Sequence, residues 1–194
     1  MRLFNLSLVL ILGVGIVACQ QGPSDTKGKL VNVTVETTKG TISLELFESD
    51  APKTVANFVG LAREGYFNGI IVHRISKGFV IQTGDSTGTG RGGKSIYGGT
   101  FADELNPETP SYKTGYVRGT LAMANRGPNT NTSQFFIVLA DAPWLPKNYT
   151  IFGRVSDGME VVDSIAAVAI TPGMGPTDGK PVEDITLSKV AVRP

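Results

Sequence analysis

Apolar and polar side chains alternate twice early in the chain: Val31, Val33 and Val35, then Ile42, Leu44 and Leu46, with Thr38-Lys39-Gly40 between the runs. A period of two places every second residue on one face, so this stretch is predicted to be a hairpin with one buried side. The period then changes. Pro52 suits a first helical turn, Val55, Phe58, Val59 and Ala62 recur at helical spacing, and Gly65 suits a C-terminal cap. Strand-like apolar runs follow at 70–75, 79–82, 120–124, 134–139, 150–155 and 185–192. Val161, Val162, Ile165 and Val168 mark a second helix after Gly158. The 24 glycines fall in clusters and read as tight turns. About eight short strands with two helices predict a mainly β chain: a closed eight-stranded antiparallel β-barrel capped by two α-helices. No internal repeat or second domain is visible.

Ahead of this domain, residues 1–18 carry one Arg, an apolar run through Leu8–Ile16, and a small residue before Cys19. That is the plan of a bacterial secretion signal. A transmembrane anchor is the plainer alternative, but residues 3–18 would span only about 24 Å as a helix, short of a ~30 Å hydrocarbon core. A soluble secreted form would favour a small residue where Ile16 stands. The segment Ile16-Val17-Ala18-Cys19 resembles a lipobox, which implies lipid attachment at Cys19, the only Cys in the chain. Residues 19–29 then read as the lipidated Cys and a polar, flexible tether, and residues 30–194 as the domain. The expected location is the bacterial cell envelope, anchored to a membrane by lipid and facing the periplasm or the exterior.

Charge and composition remove several functions. Eighteen Lys+Arg oppose 17 Asp+Glu, and Arg2 lies in the leader, so the remaining balance is zero and offers no basic face for nucleic acid. One Cys and one His cannot build a Cys/His zinc site, and no cofactor is expected. The string Gly88-Thr89-Gly90-Arg91-Gly92-Gly93-Lys94-Ser95 fits a phosphate-binding loop letter for letter. Such a loop needs a strand before it and a helix after it, because the phosphate rests on the helix N-terminus. Ile96-Tyr97-Gly98-Gly99-Thr100 follows instead, so the glycines are read as shaping a loop beside a cleft.

Four longer stretches carry a resemblance. Val72 to Asp85 (VHRISKGFVIQTGD), Gly93 to Gly98, Leu121 to Ile137 (LAMANRGPNTNTSQFFI), and Trp144-Leu145 with Tyr149 to Gly153 occur in order. Together they resemble the signatures of the cyclophilin family of peptidyl-prolyl cis-trans isomerases, with likeness from about Val31 to Val192. The resemblance implies that Arg74 is the catalytic group. Turning an X–Pro bond breaks amide resonance against a barrier of ~18–20 kcal/mol. A donor aimed at the freed nitrogen lone pair binds the twisted state better than either planar isomer, and a permanently charged guanidinium suits that task.

The same resemblance assigns Phe79, Phe136 and Leu145 to the apolar proline socket, with Val80 where many relatives carry Met. Gln82, Asn125 and Gln134 match positions that hold the substrate chain or orient the Arg, and Gly90 and Ala124 line the cleft by being small. Tyr149 stands where well-known eukaryotic relatives carry His, and Arg126 replaces a small residue beside the cleft, which suggests a bias toward acidic residues near proline. Trp144 implies that cyclosporin binds as an inhibitor. His73 reads as a structural histidine with its hydrogen bonds satisfied, since isomerisation moves no proton. Proline-containing polypeptides, unfolded or exported, are the expected partners of a monomer. A non-catalytic adaptor on the same scaffold is the alternative, and the joint presence of Arg74, Phe79, Gln82, Phe136 and Trp144 favours catalysis.

Overall fold

The computed structural model describes residues 28–193. The first hairpin is formed by β1 (Leu30–Thr37) and β2 (Gly40–Phe47), paired in unbroken register from Leu30–Phe47 to Thr37–Gly40. Its alternation is the expected one: Val33, Val35, Ile42, Leu44 and Leu46 are buried, and the residues between them are not. Helix α1 (Pro52–Arg63) turns Val55, Phe58, Leu61 and Ala62 inward. No side chain of its own caps its start; Glu104 does so from 50 residues away, accepting from Lys53 N at 3.0 Å and from Thr54 N and Oγ1 at 2.8 Å. At its end Gly65, with φ +70°, lets Gly65 N reach Ala62 O and Tyr66 N reach Leu61 O, which satisfies two terminal carbonyls.

The remaining elements are β3 (Arg74–Ser76), β4 (Val80–Thr83), α2 (Pro110–Thr114), β5 (Thr120–Met123), β6 (Phe135–Val138), β7 (Ile151–Asp157), α3 (Met159–Ala167), β8 (Ile170–Gly175), β9 (Asp178–Pro181) and β10 (Leu187–Val192). The ladders join into one antiparallel sheet in the order β10-β1-β2-β7-β5-β6-β4-β3-β9-β8. Two expectations change here. Among the described residues there are ten strands and three helices rather than eight and two, and the sheet order is open rather than a closed ring. Where β10 approaches the run before β3, Gly69–Val72 and Ile185–Leu187 exchange three backbone bonds of 2.8 Å around the single bridge Ile71–Thr186, and no strand ladder forms. The predicted strand at 70–75 accordingly shortens to Arg74–Ser76.

The main core lies between the sheet and helices α1 and α3. Phe58, Phe67, Phe135 and Phe152 meet there with ring centroids 4.8–6.2 Å apart, joined by Leu44, Leu46, Leu61 and Ile165. A smaller cluster covers the other face of the sheet: Val80, Tyr116, Ala122, Phe136, Val138, Ala142 and Ile151. Strands β4, β5 and β6 are therefore buried on both faces, which is why their sequences are continuous apolar runs rather than alternations.

Candidate active site

The site is built on a row of residues crossing four strands. Arg74 on β3 stands opposite Gln82 on β4, Gln82 opposite Phe136 on β6, and Phe136 opposite Ala122 on β5. Directly paired residues of antiparallel strands share a face, so all four project the same way. The next row, Ile75, Ile81, Ile137 and Leu121, projects into the main core. The pairing register thus separates a row that holds the fold from a row that faces a cleft. That cleft, of about 220 Å³, is lined by Arg74, Phe79, Val80, Gln82, Ala124, Asn125, Phe136, Leu145 and Tyr149.

Arg74 is held along one edge of its guanidinium. Nε donates to Asp178 Oδ1 at 3.0 Å and Nη2 to Asp178 Oδ2 at 2.6 Å, while Nη1 donates to Gln82 Oε1 at 3.1 Å. Gln82 Nε2 then donates to Gln134 Oε1 at 3.0 Å, and Gln134 Nε2 to Gly92 O at 2.8 Å. A chain of amides therefore ties the cation to the following loop. The Arg74 guanidinium holds the Asp178 carboxyl below the usual carboxylate range. Of the five N–H groups of a guanidinium, two remain without a partner among the described residues.

The apolar side of the cleft is rigid below and open above. Phe136 is 6% exposed and Val80 2%. The Tyr149 ring meets Phe136 edge-on at 5.7 Å, and Tyr116 packs behind both. Tyr116 donates its hydroxyl to Tyr149 O at 2.9 Å and accepts from Tyr149 N at 3.0 Å, which fixes the Tyr149 backbone. Burial pushes the Tyr116 hydroxyl up to about 12, so it stays a donor. A second cleft of about 190 Å³ adjoins the first through Gln82, Ala124 and Asn125 and adds Gly90, Arg126 and Gln134. A larger cavity, about 520 Å³, lies elsewhere against Leu30, Phe47, Val117 and Ile151, and none of the residues of the two clefts lines it.

The loop after β4 is organised by Asp85. Its carboxylate accepts from Thr87 N, Thr87 Oγ1, Thr89 N and Gly92 N at 2.8–3.2 Å. Burial alone would raise its pKa, but the donors from Thr87, Gly92 and Gly90 outweigh that and bring it to about 2. A Cβ on Gly92 would stand 2.2 Å from Asp85 Oδ1, so only glycine fits there. No helix follows the loop until Pro110, and Lys94 pairs with Glu64 at 3.0 Å. The phosphate-loop string is thus a carboxylate-centred turn.

Comparison with known proteins accords with this geometry. The family described as Cyclophilin type peptidyl-prolyl cis-trans isomerase/CLD matches residues 32–192. The chain belongs to that family. It is a cyclophilin-type peptidyl-prolyl cis-trans isomerase, and its mainly β architecture with a few helices is the cyclophilin fold. A peptidyl-prolyl cis-trans isomerase-like 1 of Aspergillus niger is 51% identical over 148 residues, 76% of this chain and 89% of that protein. A peptidylprolyl isomerase domain and WD repeat-containing protein 1 of Homo sapiens is 50% identical over 159 residues, 82% of this chain and 23% of that longer protein. A crystal structure of a Cryptosporidium parvum cyclophilin type isomerase is similar with a TM-score of 0.77 at 39% identity, covering 86% of this chain and 99% of that one. A second structure of the same protein, in the presence of the dipeptide Ala-Pro, gives a TM-score of 0.75 at 39% identity, covering 84% and 99%.

These relatives correct the expected location. They are fungal and mammalian isomerase-like proteins, not bacterial lipoproteins, and the bacterial envelope assignment is overturned. The leader, Cys19 and the lipid attachment expected there lie outside the described residues, and no described helix is long and apolar enough to cross a membrane.

Within this cyclophilin-type domain, nine of the expected site residues line the first cleft, while Gly90, Arg126 and Gln134 line its neighbour. Trp144 stacks against Phe79 at the rim. The Asn125 side chain donates to Asn148 O at 2.9 Å and accepts from Gly127 N at 3.3 Å, which ties its loop to the segment before β7, and it makes no hydrogen bond to Arg74 among the described residues. His73 is buried as expected, but both ring nitrogens lack a hydrogen-bond partner among the described residues. Its neighbour across the turn is Gly90, where a Cβ would lie 3.6 Å from the ring. Asp178 is the residue that sequence reasoning missed. It sits in a Gly- and Pro-rich run with no strand pattern, and only the β3–β9 pairing brings it to Arg74.

Proposed function

We propose that this isomerase acts on X–Pro bonds of unfolded polypeptides through Arg74, with the proline ring seated on Phe79, Val80, Phe136 and Leu145. The carrying observation is the position of Arg74: an immobilised guanidinium at the edge of an apolar cleft, with two N–H groups uncommitted among the described residues. An apolar socket grips the ring while the carbonyl side turns. As the bond twists, the proline nitrogen regains its lone pair, and a nearby N–H stabilises it more than in either planar state. Ala124, Asn125 and the Tyr149 ring hold the flanking chain, which reduces the reaction to rotation about one bond. The dipeptide Ala-Pro accompanying the Cryptosporidium relative supports this substrate class.

Cyclosporin as an inhibitor is part of this reading, with Trp144 as its contact. Residues 30–194 are proposed to carry the whole activity. Uncatalysed X–Pro isomerisation takes ~10–100 s, slow enough to limit folding, so assisting folding is the role that follows. Export of the clients rested on the envelope location and is not part of this proposal.

The test is exchange between cis and trans isomers of an Ala-Pro peptide, followed by NMR with the full chain and with Arg74→Ala. A loss of about 100-fold in turnover is expected for removing the one group aimed at the twisted bond, with peptide affinity kept within about 3-fold. Equal turnover by both proteins would overturn the role of Arg74, and binding without turnover by the unmutated chain would favour the adaptor.

A further inference from the structure

We propose that Asp178 is a positioning residue for catalysis: its carboxylate grips one edge of the Arg74 guanidinium so that the remaining N–H groups are held toward the substrate. The inference rests on the reading of Arg74 given above.

Sequence separates the two residues by 104 positions, and the β3–β9 ladder closes that gap. Asp178 pairs with Ser76, two residues from Arg74, so all three project from the same face and Asp178 lies diagonal to Arg74. A further backbone bond, Lys77 N to Thr177 O at 2.8 Å, continues the contact on the other side. The hairpin is itself closely packed behind the Asp: a Cβ on Gly179 would stand 2.0 Å from Thr171 O. The carboxylate is thus fixed by backbone on a segment that does nothing else for the cleft.

The contact is a bidentate, charge-assisted pair at 3.0 and 2.6 Å, with Arg74 27% and Asp178 15% exposed at the side chain. A long, flexible side chain that must order itself on binding substrate loses rotamer freedom, and that loss opposes the reaction. Fixing Arg74 beforehand moves that cost out of the catalytic cycle. Gln82 alone could not do so, because one amide oxygen leaves the guanidinium free to rotate about a single bond. The carboxylate also occupies the edge of Arg74 that a peptide carboxylate would otherwise seize. A neutral amide nitrogen is then left as the preferred target of the free edge.

Five full-length proteins test the proposal: unmutated, Asp178→Ala, Asp178→Asn, Arg74→Lys and the double variant Asp178→Ala/Arg74→Lys. Turnover at saturating Ala-Pro peptide, peptide affinity, and the Nε–H NMR signal of Arg74 are measured for each, that signal being assigned by its loss in Arg74→Lys. Asp178→Ala is expected to lose about 10-fold or more in turnover, as misplacement of a catalytic group does, with affinity within 2-fold. The Arg74 Nε–H signal should shift and exchange faster with solvent. Asp178→Asn, which keeps one acceptor, should recover part of both. The double variant should be no slower than Arg74→Lys alone. If Asp178→Ala does not fold, the near-isosteric Asp178→Asn decides, because partial loss in turnover with a displaced Nε–H signal is still expected of it. Turnover unchanged in Asp178→Asn and Asp178→Ala, a loss confined to affinity, or additive losses in the double variant would overturn the proposal. If Arg74→Lys and Arg74→Ala both keep full turnover, it is the role of Arg74 that fails.

Discussion

Phe79 and Trp144 stack at the rim of the cleft with ring centroids 4.7 Å apart and planes inclined at 43°. Phe79 is half-buried against the second apolar cluster, while Trp144 is 65% exposed. The socket floor therefore comes from the sheet and its lip from a loop aromatic facing solvent.

Trp144 is the only tryptophan in the chain, so its fluorescence reports on this lip alone. Cyclosporin at micromolar concentration is expected to change that emission and to inhibit turnover. Trp144→Ala should weaken inhibition about 30-fold, the loss typical of truncating a buried interface indole, while retaining most of the isomerisation. Unchanged emission together with full activity in the presence of drug would remove cyclosporin from the proposed ligands.

Glu104 closes the start of α1 from another part of the chain, and its oxygens serve three donors. Glu104→Ala leaves Lys53 N and the Thr54 groups unpaired, for an expected loss of about 2 kcal/mol in stability. Denaturant melts should show this, with turnover per folded molecule unchanged because no cleft residue touches Glu104.

Acid stability separates two groups. Burial lowers the pKa of His73 from 6.5, with Arg74 adding to the effect and Asp85 opposing it. The unfolded imidazole therefore binds protons first, so stability is full above pH 6.5 and declines as pH falls from there through the folded value, by at most about 1.4 kcal/mol per pH unit. Asp85 titrates near 3.8 unfolded and at about 2 folded, so its contribution is present above pH 3.8 and is lost as pH falls through about 2. In melts from pH 8 to 2, the dependence of His73→Phe between pH 8 and 4 should be flatter than that of the unmutated chain, and the steep loss below pH 4 should stay. An identical slope in the variant would show that another group is responsible for the first window.

Arg126 reaches Gly90 O at 3.4 Å across the second cleft and pairs with no carboxylate among the described residues. Peptides with Glu before Ala-Pro should turn over about 2- to 5-fold faster than those with Lys, as expected for an exposed charge pair, and 1 M salt should erase the difference. Arg126→Ala should erase it at any salt concentration.

Legibility followed burial. The β1–β2 hairpin and both long helices have one buried face and could be read from their periods, including the cap at Gly65. Strands β4, β5 and β6 are buried on both faces, so their runs marked strands but could not tell core from cleft; register did that, by placing Phe136 beside Gln82 and Ile137 beside Ile81. Strands β8 and β9 carry Pro172, Pro181 and several glycines and read as loop. They are strands because β3 offers an edge, and Pro172 is tolerated because β8 ends the sheet. Helix α2 has only five residues, too few for a period. Arg74, the proposed proline socket and their neighbours were named by likeness to a family, whereas Asp178 had neither pattern nor motif to mark it.

The two rows that cross β3, β4, β6 and β5 also decide what a misfolded molecule looks like. A slip of β4 by one position against β6 would turn Gln82 into the main core and send Ile81 out to the cleft. The buried amide would cost about 1–3 kcal/mol and the exposed isoleucine about 2 kcal/mol more, and both penalties fall on one strand. Misregistered chains are thus selected against by the same side chains on which the proposed site depends. In any preparation, then, isomerase activity counts correctly folded molecules directly, and a shortfall in specific activity measures the fraction of chains in the wrong register or unfolded.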